Sequence, residues 1–279
     1  MASTVGSVVS LCRYPVKSMM GEELNSSEIN ERGLLGDRAH ALIDTATGKV
    51  ASAKNPRKWG KLFDCRATYL EPLRAGQKLP VVQIALPDGT LVSSDQPDLN
   101  QVLTKVFGRE VVFAKSAPEK PSLEEYWPDI DGLAHRETVT DEAMPAGLFF
   151  DYATVHLLTT ATLDRLRELY PSGRWEVHRF RPNIVVHTDG KGFVESDWVG
   201  RTVAIGDHVR LKINIPCPRC VMTTLPQGDL PNDPGILRTA AQETPRFKAN
   251  GQTLVALVGV YASVERGGTV RRGDALRVE

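Results

Sequence analysis

The chain has 279 residues, of which 41% are hydrophobic and 24% charged, a balance typical of a globular protein with a sizeable core. Acidic and basic residues number 34 each, so the formal net charge is zero. Without an overall charge excess, we expect neither nucleic acid nor an anionic membrane as a partner. The start of the chain lacks the pattern of a signal peptide, and no apolar run approaches about 18 residues. With four cysteines, this pattern favours a reducing cytoplasm.

Short strands and turns dominate the first half of the chain. Alternating apolar residues predict a strand over residues 8–11, which Pro15 stops. Farther along, Gly33 and Gly36 surround a pair of leucines and predict a tight turn that leads into a strand. Hairpins are predicted over residues 39–52 and 80–92.

The second half combines two helix signals with further strands. A helix is predicted over residues 97–107, and a clearer one begins at Thr159 or Thr160 and ends before Pro171. Residues 116–136 have the composition of a boundary or a long surface loop. Strands are predicted over residues 183–187, 203–205, 209–215, 254–264 and 268–278. Several short strands and few helices favour a barrel-like second half.

Two cysteines form the main chemical signal of the sequence. Cys217 and Cys220, with Arg219 between them, follow a predicted strand that delivers them to a loop. Thiolates are ligands for soft metals and are also nucleophiles. A single Cys-x-x-Cys is not specific, because zinc sites need a second pair of ligands and redox pairs usually open a helix. These residues alone leave two interpretations open, a functional thiolate or two packed thiols.

Five short motifs follow one another in order: Tyr-Pro-Val-Lys-Ser at 14–18, Gly-Leu-Leu-Gly-Asp-Arg at 33–38, His-Leu-Leu-Thr-Thr at 156–160, Arg-Phe-Arg-Pro-Asn-Ile-Val-Val at 179–186 and Pro-Cys-Pro-Arg-Cys at 216–220. In this order they resemble the MOSC-domain proteins, a family that includes amidoxime-reducing components of mitochondria. The resemblance implies a mixed, β-rich fold, in which a MOSC β-barrel domain carries an inserted smaller α/β domain of MOSC N-terminal type. The barrel domain would comprise residues 1–38 and 133–279, and the inserted domain residues 39–132.

The resemblance also implies a cofactor site. In similar proteins the second cysteine of the pair is the molybdenum ligand, which makes Cys220 the expected metal ligand and catalytic residue. The implied cofactor is the molybdenum cofactor, Mo-molybdopterin, whose phosphate would be bound by Lys17, Ser18 and Arg38. A point charge, a hydroxyl and a forked guanidinium suit a dianion. Arg219 is expected to help keep the Cys220 sulfur ionised.

Further cofactor contacts are expected from two other motifs. Arg181 and Asn183 would hydrogen-bond the pterin, and Thr159 and Thr160 would donate to the pterin or phosphate from a helix N-terminus. Each assignment has a structural alternative. The cations of the phosphate site could be ordinary surface residues, the arginine could cap a loop, and the threonines could be plain N-caps.

The other cysteines are expected to have structural roles. Cys217 lies between two prolines, and we expect it to pack beside Cys220 or to support it. Cys12 and Cys65 stand alone and are expected in the core, where free cysteine is common.

The sequence contains no nucleotide-binding glycine motif, no Walker A sequence and no cysteine spacing of an iron–sulfur cluster. We therefore expect electrons from a separate protein, such as a ferredoxin, a flavoprotein or a cytochrome b5-like donor. The resemblance implies a molybdenum-dependent oxidoreductase acting on small N-hydroxylated molecules, namely amidoximes, hydroxylamines or N-oxides. A cofactor carrier and a persulfide sulfur-transfer protein remain alternatives, because all three need the same thiolate.

Overall fold

The computed structural model describes residues 4–249 and 251–279. In chain order its strands are β1 (Thr4–Arg13), β2 (Glu22–Leu24), β3 (Ser26–Asn30), β4 (Gly33–Leu34), β5 (Ala41–Asp44), β6 (Arg66–Tyr69), β7 (Val82–Ala85), β8 (Leu91–Ser93), β9 (Val111–Ala114), β10 (Ser122–Trp127), β11 (Thr138–Ala143), β12 (Val155–Thr159), β13 (Ile184–His187), β14 (Thr202–Ile205), β15 (Val209–Pro218), β16 (Phe247–Ala249), β17 (Gln252–Leu254), β18 (Leu257–Arg266), β19 (Gly268–Arg271) and β20 (Ala275–Val278). The α-helices are α1 (Pro56–Trp59), α2 (Leu99–Phe107), α3 (Thr160–Leu169), α4 (Val177–Phe180) and α5 (Pro234–Glu243). Short 3-10 helices span Gly60–Asp64, Val194–Trp198 and Val221–Thr224.

Seven strands close into a barrel. Pairing runs in the order β13, β12, β18, β15, β14, β20 and β1, and β1 then pairs with β13 to complete the circle. The small diameter lets side chains fill the interior. The barrel core includes Leu11, Leu157, Ile184, Val203, Leu211 and Val260. The prediction of a mixed, β-rich fold built around a barrel is therefore confirmed.

A second apolar core lies in the stretch between β5 and β9. Strands β6, β7 and β8 form one antiparallel sheet, β5 pairs with β9, and α2 packs against them. Helix α2 buries Leu99, Leu103 and Phe107 at intervals of four residues, and it ends at Gly108, whose φ of 65° closes the last turn. The predictions of this helix and of the hairpin over 80–92 are confirmed. The other predicted hairpin is reduced to a bridge between Ile43 and Val50.

The prediction of a boundary or a long surface loop over residues 116–136 is wrong for residues 122–127, because β10 lies there and pairs antiparallel with β11. Burial alternates along β10, since Leu123 and Glu125 are buried while the intervening Glu124 is only half-buried. The alternation is hard to see in the sequence because one of the buried residues is a glutamate. The carboxylate of Glu125 is tolerated inside because Lys54 Nζ donates to it at 2.8 Å. This hairpin spans the predicted domain boundary at 132/133, and we keep the two-domain division as a proposal.

Two predicted strand boundaries also need correction. Strand β15 does not end at Ile215 but continues through the first cysteine to Pro218, with register shifts at Ile213 to Ile215 and Pro216 to Pro218. Proline cannot donate to a sheet ladder, so bulges accommodate it. The strand predicted over 254–264 is broken at Ala256, whose φ of 56° is left-handed.

The two glycines of the predicted turn are required by close contacts. A Cβ on Gly33 would lie 2.3 Å from the carbonyl oxygen of Thr154, and one on Gly36 would lie 2.3 Å from Leu73 Cδ2. Both glycines also have positive φ, of 90° and 79°. The predicted turn is therefore confirmed.

Helices α3 and α5 cover part of the barrel through a shared apolar cluster. Leu163 and Leu166 of α3 pack in this cluster with Ile236 and Leu237 of α5, beside Trp175. The longest helices in the described part of the chain have ten residues. Within residues 4–249 and 251–279, no helix has both the length and the apolar character needed to cross a lipid bilayer.

His40 supplies a test of how burial controls stability. Its side chain is buried 5.2 Å from the ring of Phe113, and neither ring nitrogen has a hydrogen-bond partner among the described residues. Burial, helped by the positive charge of Lys115, lowers the pKa of His40 to about 4. Below about pH 6.5 the unfolded chain therefore takes up a proton at this residue that the folded chain refuses.

We expect the free energy of unfolding to fall as the pH drops from 6.5 to 4, and His40→Leu to remove about 3 kcal/mol of that loss. Urea denaturation at pH 7, 6, 5 and 4 measures the difference. His208→Leu, at an exposed position, is the matched control. Parallel profiles for wild type and His40→Leu would contradict this account of His40.

Candidate functional site

A cavity of about 470 Å³ lies where several loops meet the end of β15. Its walls come from the loop after β1, the loops before β12 and β13, the β10–β11 hairpin and the segment around Lys54. Of the site residues predicted from the sequence, the structure brings five to this cavity: Lys17, Ser18, Arg38, Arg181 and Cys220.

Three of these residues have a strained backbone. Ser18, Arg38 and Arg181 have φ values of 62°, 46° and 52°, and they account for three of the five non-glycine residues with positive φ in the described chain. A left-handed conformation at such residues costs roughly 1–3 kcal/mol each and is typical of functional sites. The surrounding structure compensates: the Arg38 amide donates to Tyr14 O at 2.7 Å, and Ser18 Oγ accepts from the Ala53 amide at 3.1 Å.

Asp37 connects three segments of the chain next to this strained backbone. Its buried carboxylate accepts from the Tyr14 amide at 2.7 Å and from Asn183 Nδ2 at 2.9 Å, and it forms an ion pair with Arg38. Asn183 also accepts from the His156 amide through Oδ1 at 3.1 Å. Since these bonds occupy Asn183 and it does not line the cavity, its predicted pterin contact has no support. Asn183 instead positions Asp37.

Arg181 is a buried cation with unused donors. Its side chain is 5% exposed, and neither terminal guanidinium nitrogen has a hydrogen-bond partner in the described structure. The guanidinium lies 4.1 Å from the centroid of the Tyr14 ring. Burial, together with the nearby Arg38, lowers the pKa of Arg181 to about 10. A buried charge with free donors suits a ligand that brings acceptors or negative charge.

A row of alternating charges runs along the cavity wall. Lys17 Nζ contacts Asp151 at 2.5 Å, Asp151 lies 3.7 Å from Lys54 Nζ, and Lys54 contacts Glu125 at 2.8 Å. Lys17 also donates to the carbonyl of Phe149 at 2.8 Å. Burial alone would raise the pKa of Asp151, but the ammonium groups of Lys17 and Lys54 outweigh burial and hold this pKa below its usual value.

Lys54, Glu125 and Asp151 line the cavity but were not predicted from the sequence. Lys54 and its partner Glu125 are 71 residues apart in the chain, so no local spacing connects them. The alternation of residues 122–127 was the one available signal, and it would have placed Glu125 inside. His156, which lies within a recognised motif, also lines the cavity. Its burial lowers its pKa well below the usual range, so the ring is neutral.

Cys220 lies at the cavity surface, directly before the 3-10 helix Val221–Thr224. Burial, together with the carboxylate of Glu125, raises the pKa of its thiol to about 11, although Lys54 and Arg219 act in the opposite direction. Arg219 thus acts in the expected direction, favouring the thiolate, but desolvation outweighs its effect in the cofactor-free protein. A metal that binds Cys220 must displace the proton.

Arg219 has a different partner. One terminal nitrogen donates to Cys217 Sγ at 2.7 Å and the other to the carbonyl oxygen of Phe180 at 2.8 Å. Cys217 is fully buried, so the bonds of Arg219 hold this residue in place near Cys220, and Cys217 does not present a second thiol to the cavity.

The two remaining cysteines differ in burial. Cys65 is fully buried, whereas Cys12 is only half-buried, which corrects the expectation that Cys12 lies in the core.

The threonines at the start of α3 do not line the cavity. Thr159 accepts from the Thr162 amide at 3.2 Å and donates to Glu195 at 2.5 Å, which makes it a buried N-cap. Thr160 lies 3.2 Å from His187 Nδ1 on the exposed side. The hydroxyl of Thr159 is used within the protein, and neither threonine lines the cavity, so their assignment as cofactor contacts stays a prediction.

The donor set limits how a metal could be held. Among the residues that the structure describes, no group of three or more histidine, cysteine, aspartate or glutamate side chains is placed to bind one metal ion. Cys220 is the cysteine that lines the cavity. A metal bound here would depend on a cofactor that brings most of the ligands.

Two family models match the chain: the MOSC domain over residues 146–277 and the MOSC N-terminal beta barrel domain over residues 5–75. The chain is a MOSC-domain protein. The matched MOSC region includes β12 to β19, α3 to α5 and both cysteines of the pair, and the N-terminal match begins within β1 of the barrel.

Similarity to named proteins extends over nearly the whole MOSC-domain chain. Mitochondrial amidoxime reducing component 2 of Rattus norvegicus is 26% identical over 291 residues, and its Homo sapiens counterpart is 27% identical over 299 residues. Each alignment covers 97% of this chain and 82% of the relative. Among solved structures, the YUAD protein from Bacillus subtilis matches with a TM-score of 0.48 and 12% identity, covering 100% of this chain and 98% of that one.

The unpaired charge of Arg181 generates a stability prediction. Arg181→Met places an unbranched apolar side chain beside Tyr14 and removes the buried cation, so we expect it to stabilise the cofactor-free protein by about 1–2 kcal/mol. Urea denaturation measures the change. Arg165→Met, on the exposed face of α3, serves as the control and should stay within about 0.5 kcal/mol. A clear loss of stability in Arg181→Met would mean that its guanidinium is satisfied within the protein.

Proposed function

We propose that this MOSC-domain protein binds a molybdenum cofactor in the cavity and reduces N-hydroxylated small molecules with electrons from a separate donor. The observation that carries the proposal is the convergence of one cavity-facing thiol, Cys220, with the unpartnered guanidinium of Arg181. Mo-molybdopterin matches this pair. It brings two sulfur ligands of its own, so it needs a single protein thiolate, and it carries a phosphate that needs cations.

The phosphate would be bound by the cationic end of the cavity. Lys17, Arg38 and Arg181 line it together, and Ser18 lies beside them. Lys17 already contacts Asp151, and Arg38 already contacts Asp37, so their positions are fixed before a ligand arrives. Such preorganised charge-assisted bonds are among the strongest that a protein can offer an anion.

When bound, the molybdenum cofactor supplies the redox-active metal at which an N–O bond is reduced. Cys220 would hold this metal, and Arg219, tied to Cys217 and Phe180, fixes the backbone that presents the thiolate. Tyr152 stacks on Tyr261 with ring centroids 5.6 Å apart, and both rings line the cavity. These aromatic rings would exclude water from part of the substrate space.

The relatives support the choice of reaction. Proteins named amidoxime reducing components align with 97% of this chain, and reduction of an N–OH group to N–H consumes two electrons and two protons and releases water. The sequence offers no nucleotide-binding motif or cluster spacing. We therefore propose a ferredoxin, flavoprotein or cytochrome b5-like protein as the electron source.

Cys220→Ser tests the metal ligand. Protein produced in a host that makes the molybdenum cofactor should contain about one molybdenum per chain, and Cys220→Ser should lose the metal because a serine hydroxyl is a poor donor for this soft site. Elemental analysis and a pterin assay measure the content, with circular dichroism as a check on folding. Cys12→Ser is the control. Metal retained in Cys220→Ser but lost in Cys217→Ser would identify the other thiol as the ligand.

Turnover provides a separate test. We expect cofactor-loaded protein to be inactive with NADH alone, because the sequence contains no nucleotide-binding motif, and to reduce an amidoxime when reduced viologen is supplied. The amidine product is quantified by chromatography, and the requirement for Cys220 should hold for every donor. Failure with amidoximes, hydroxylamines and N-oxides, combined with transfer of the cofactor to an apo-molybdoenzyme, would favour the carrier alternative.

A further inference from the structure

The inner face of the β10–β11 hairpin forms a wall of the cavity that the cofactor contacts leave unused. Because side chains alternate along a strand, Glu125 and Trp127 of β10 share this face with Thr140 and Glu142 of β11. Glu125, Trp127 and Glu142 all line the cavity. The cations of the proposed phosphate site come from other segments of the chain.

Thr140 locks two of these side chains together. Its hydroxyl accepts from Trp127 Nε1 at 2.7 Å and donates to Glu142 Oε1 at 2.6 Å. On its other side the indole meets the ring of His135 edge-on, with centroids 5.2 Å apart. The aromatic ring and the carboxylate are therefore held in a fixed relation to each other.

The two carboxylates on this wall differ in their partners. Glu125 is neutralised by Lys54 Nζ at 2.8 Å. Glu142 contacts the Thr140 hydroxyl, and no ion pair to it is found among residues 4–249 and 251–279. Its negative charge thus remains available beside an aromatic face. A carboxylate and an indole together match a planar, delocalised cation, which stacks through its face and donates through its edge.

We propose that Trp127 and Glu142 form a binding site for an amidinium ion, with its N–H groups donating to Glu142 and its plane against the indole. At the other end of the cavity, Asp151 and Asp37 are already paired with Lys17 and Arg38, and the unpaired guanidinium of Arg181 disfavours such an ion in the cofactor-free chain.

The role of this ion as a product rests on the proposed function. Reduction of an amidoxime by two electrons and two protons breaks the N–O bond and gives an amidine and water. The basic amidine then takes a further proton from solvent and becomes an amidinium. A neutral substrate therefore turns into a cation beside Glu142, and the site holds the product more tightly than the substrate.

Binding of benzamidine and of its neutral isostere benzamide tests the site by calorimetry on the full-length, cofactor-free chain. Wild type should bind benzamidine at least about tenfold more tightly than benzamide, because only the cation forms charge-assisted bonds with the carboxylate. Glu142→Gln should bring this ratio close to one. Asp141→Asn, on the outer face of the same strand, should leave it unchanged, and Trp127→Leu should weaken both ligands.

Equal affinities in wild type, or an unchanged ratio in folded Glu142→Gln, would overturn the amidinium site. Benzamidine binding needs no molybdenum, so its outcome is independent of turnover. Selective binding by a chain that shows no reductase activity when loaded would overturn the reductase proposal and support the site. Turnover by a chain that binds benzamidine and benzamide equally would support the reductase proposal and overturn the amidinium site. In active protein, benzamidine should inhibit wild type and Asp141→Asn more strongly than Glu142→Gln.

Discussion

The burial of several like charges around one cavity is the constraint that the rest of the site depends on. Among the residues that the structure describes, the terminal nitrogens of Arg181 have no hydrogen-bond partner, and Lys17 and Arg38 line the same space. Taking such charges out of water is costly unless they are paired. Asp37 and Asp151 offset part of this cost by pairing with Arg38 and Lys17. The remaining positive charge is a cost that an anionic ligand would offset.

The scaffold divides this task among separate parts of the chain. The seven strands of the barrel close on themselves, and the barrel supplies the loops that carry Arg181 and Cys220. The segment between β5 and β9 has its own core and presents Lys54, while the β10–β11 hairpin presents Glu125. The Lys54–Glu125 ion pair joins these last two parts at the cavity. Each wall thus has its own chemical character, cationic on one side and acidic and aromatic on the other.

The state of the free thiol follows from the same burial. Desolvation controls the pKa of Cys220 even though Lys54 and Arg219 are near, and the guanidinium of Arg219 is committed to Cys217. A site of this kind stays protonated until a ligand compensates for the charge. Cofactor binding and thiolate formation would then be a single coupled event, with the proton released as the metal is taken up.

The sequence by itself determined the parts of this protein that depend on local order. Glycines with positive φ and the apolar spacing of α2 can be read from neighbouring residues. The resemblance of the ordered motifs to MOSC-domain proteins grouped Lys17, Arg38, Arg181 and Cys220, and the structure places these four residues around one cavity. Only the tertiary structure decided which polar groups pair. Asn183 donates a hydrogen bond to Asp37, and Lys54 pairs with Glu125, which is 71 residues away in the chain. A buried charge is unfavourable without a partner, so the groups that the fold brings close together decide which pairs form.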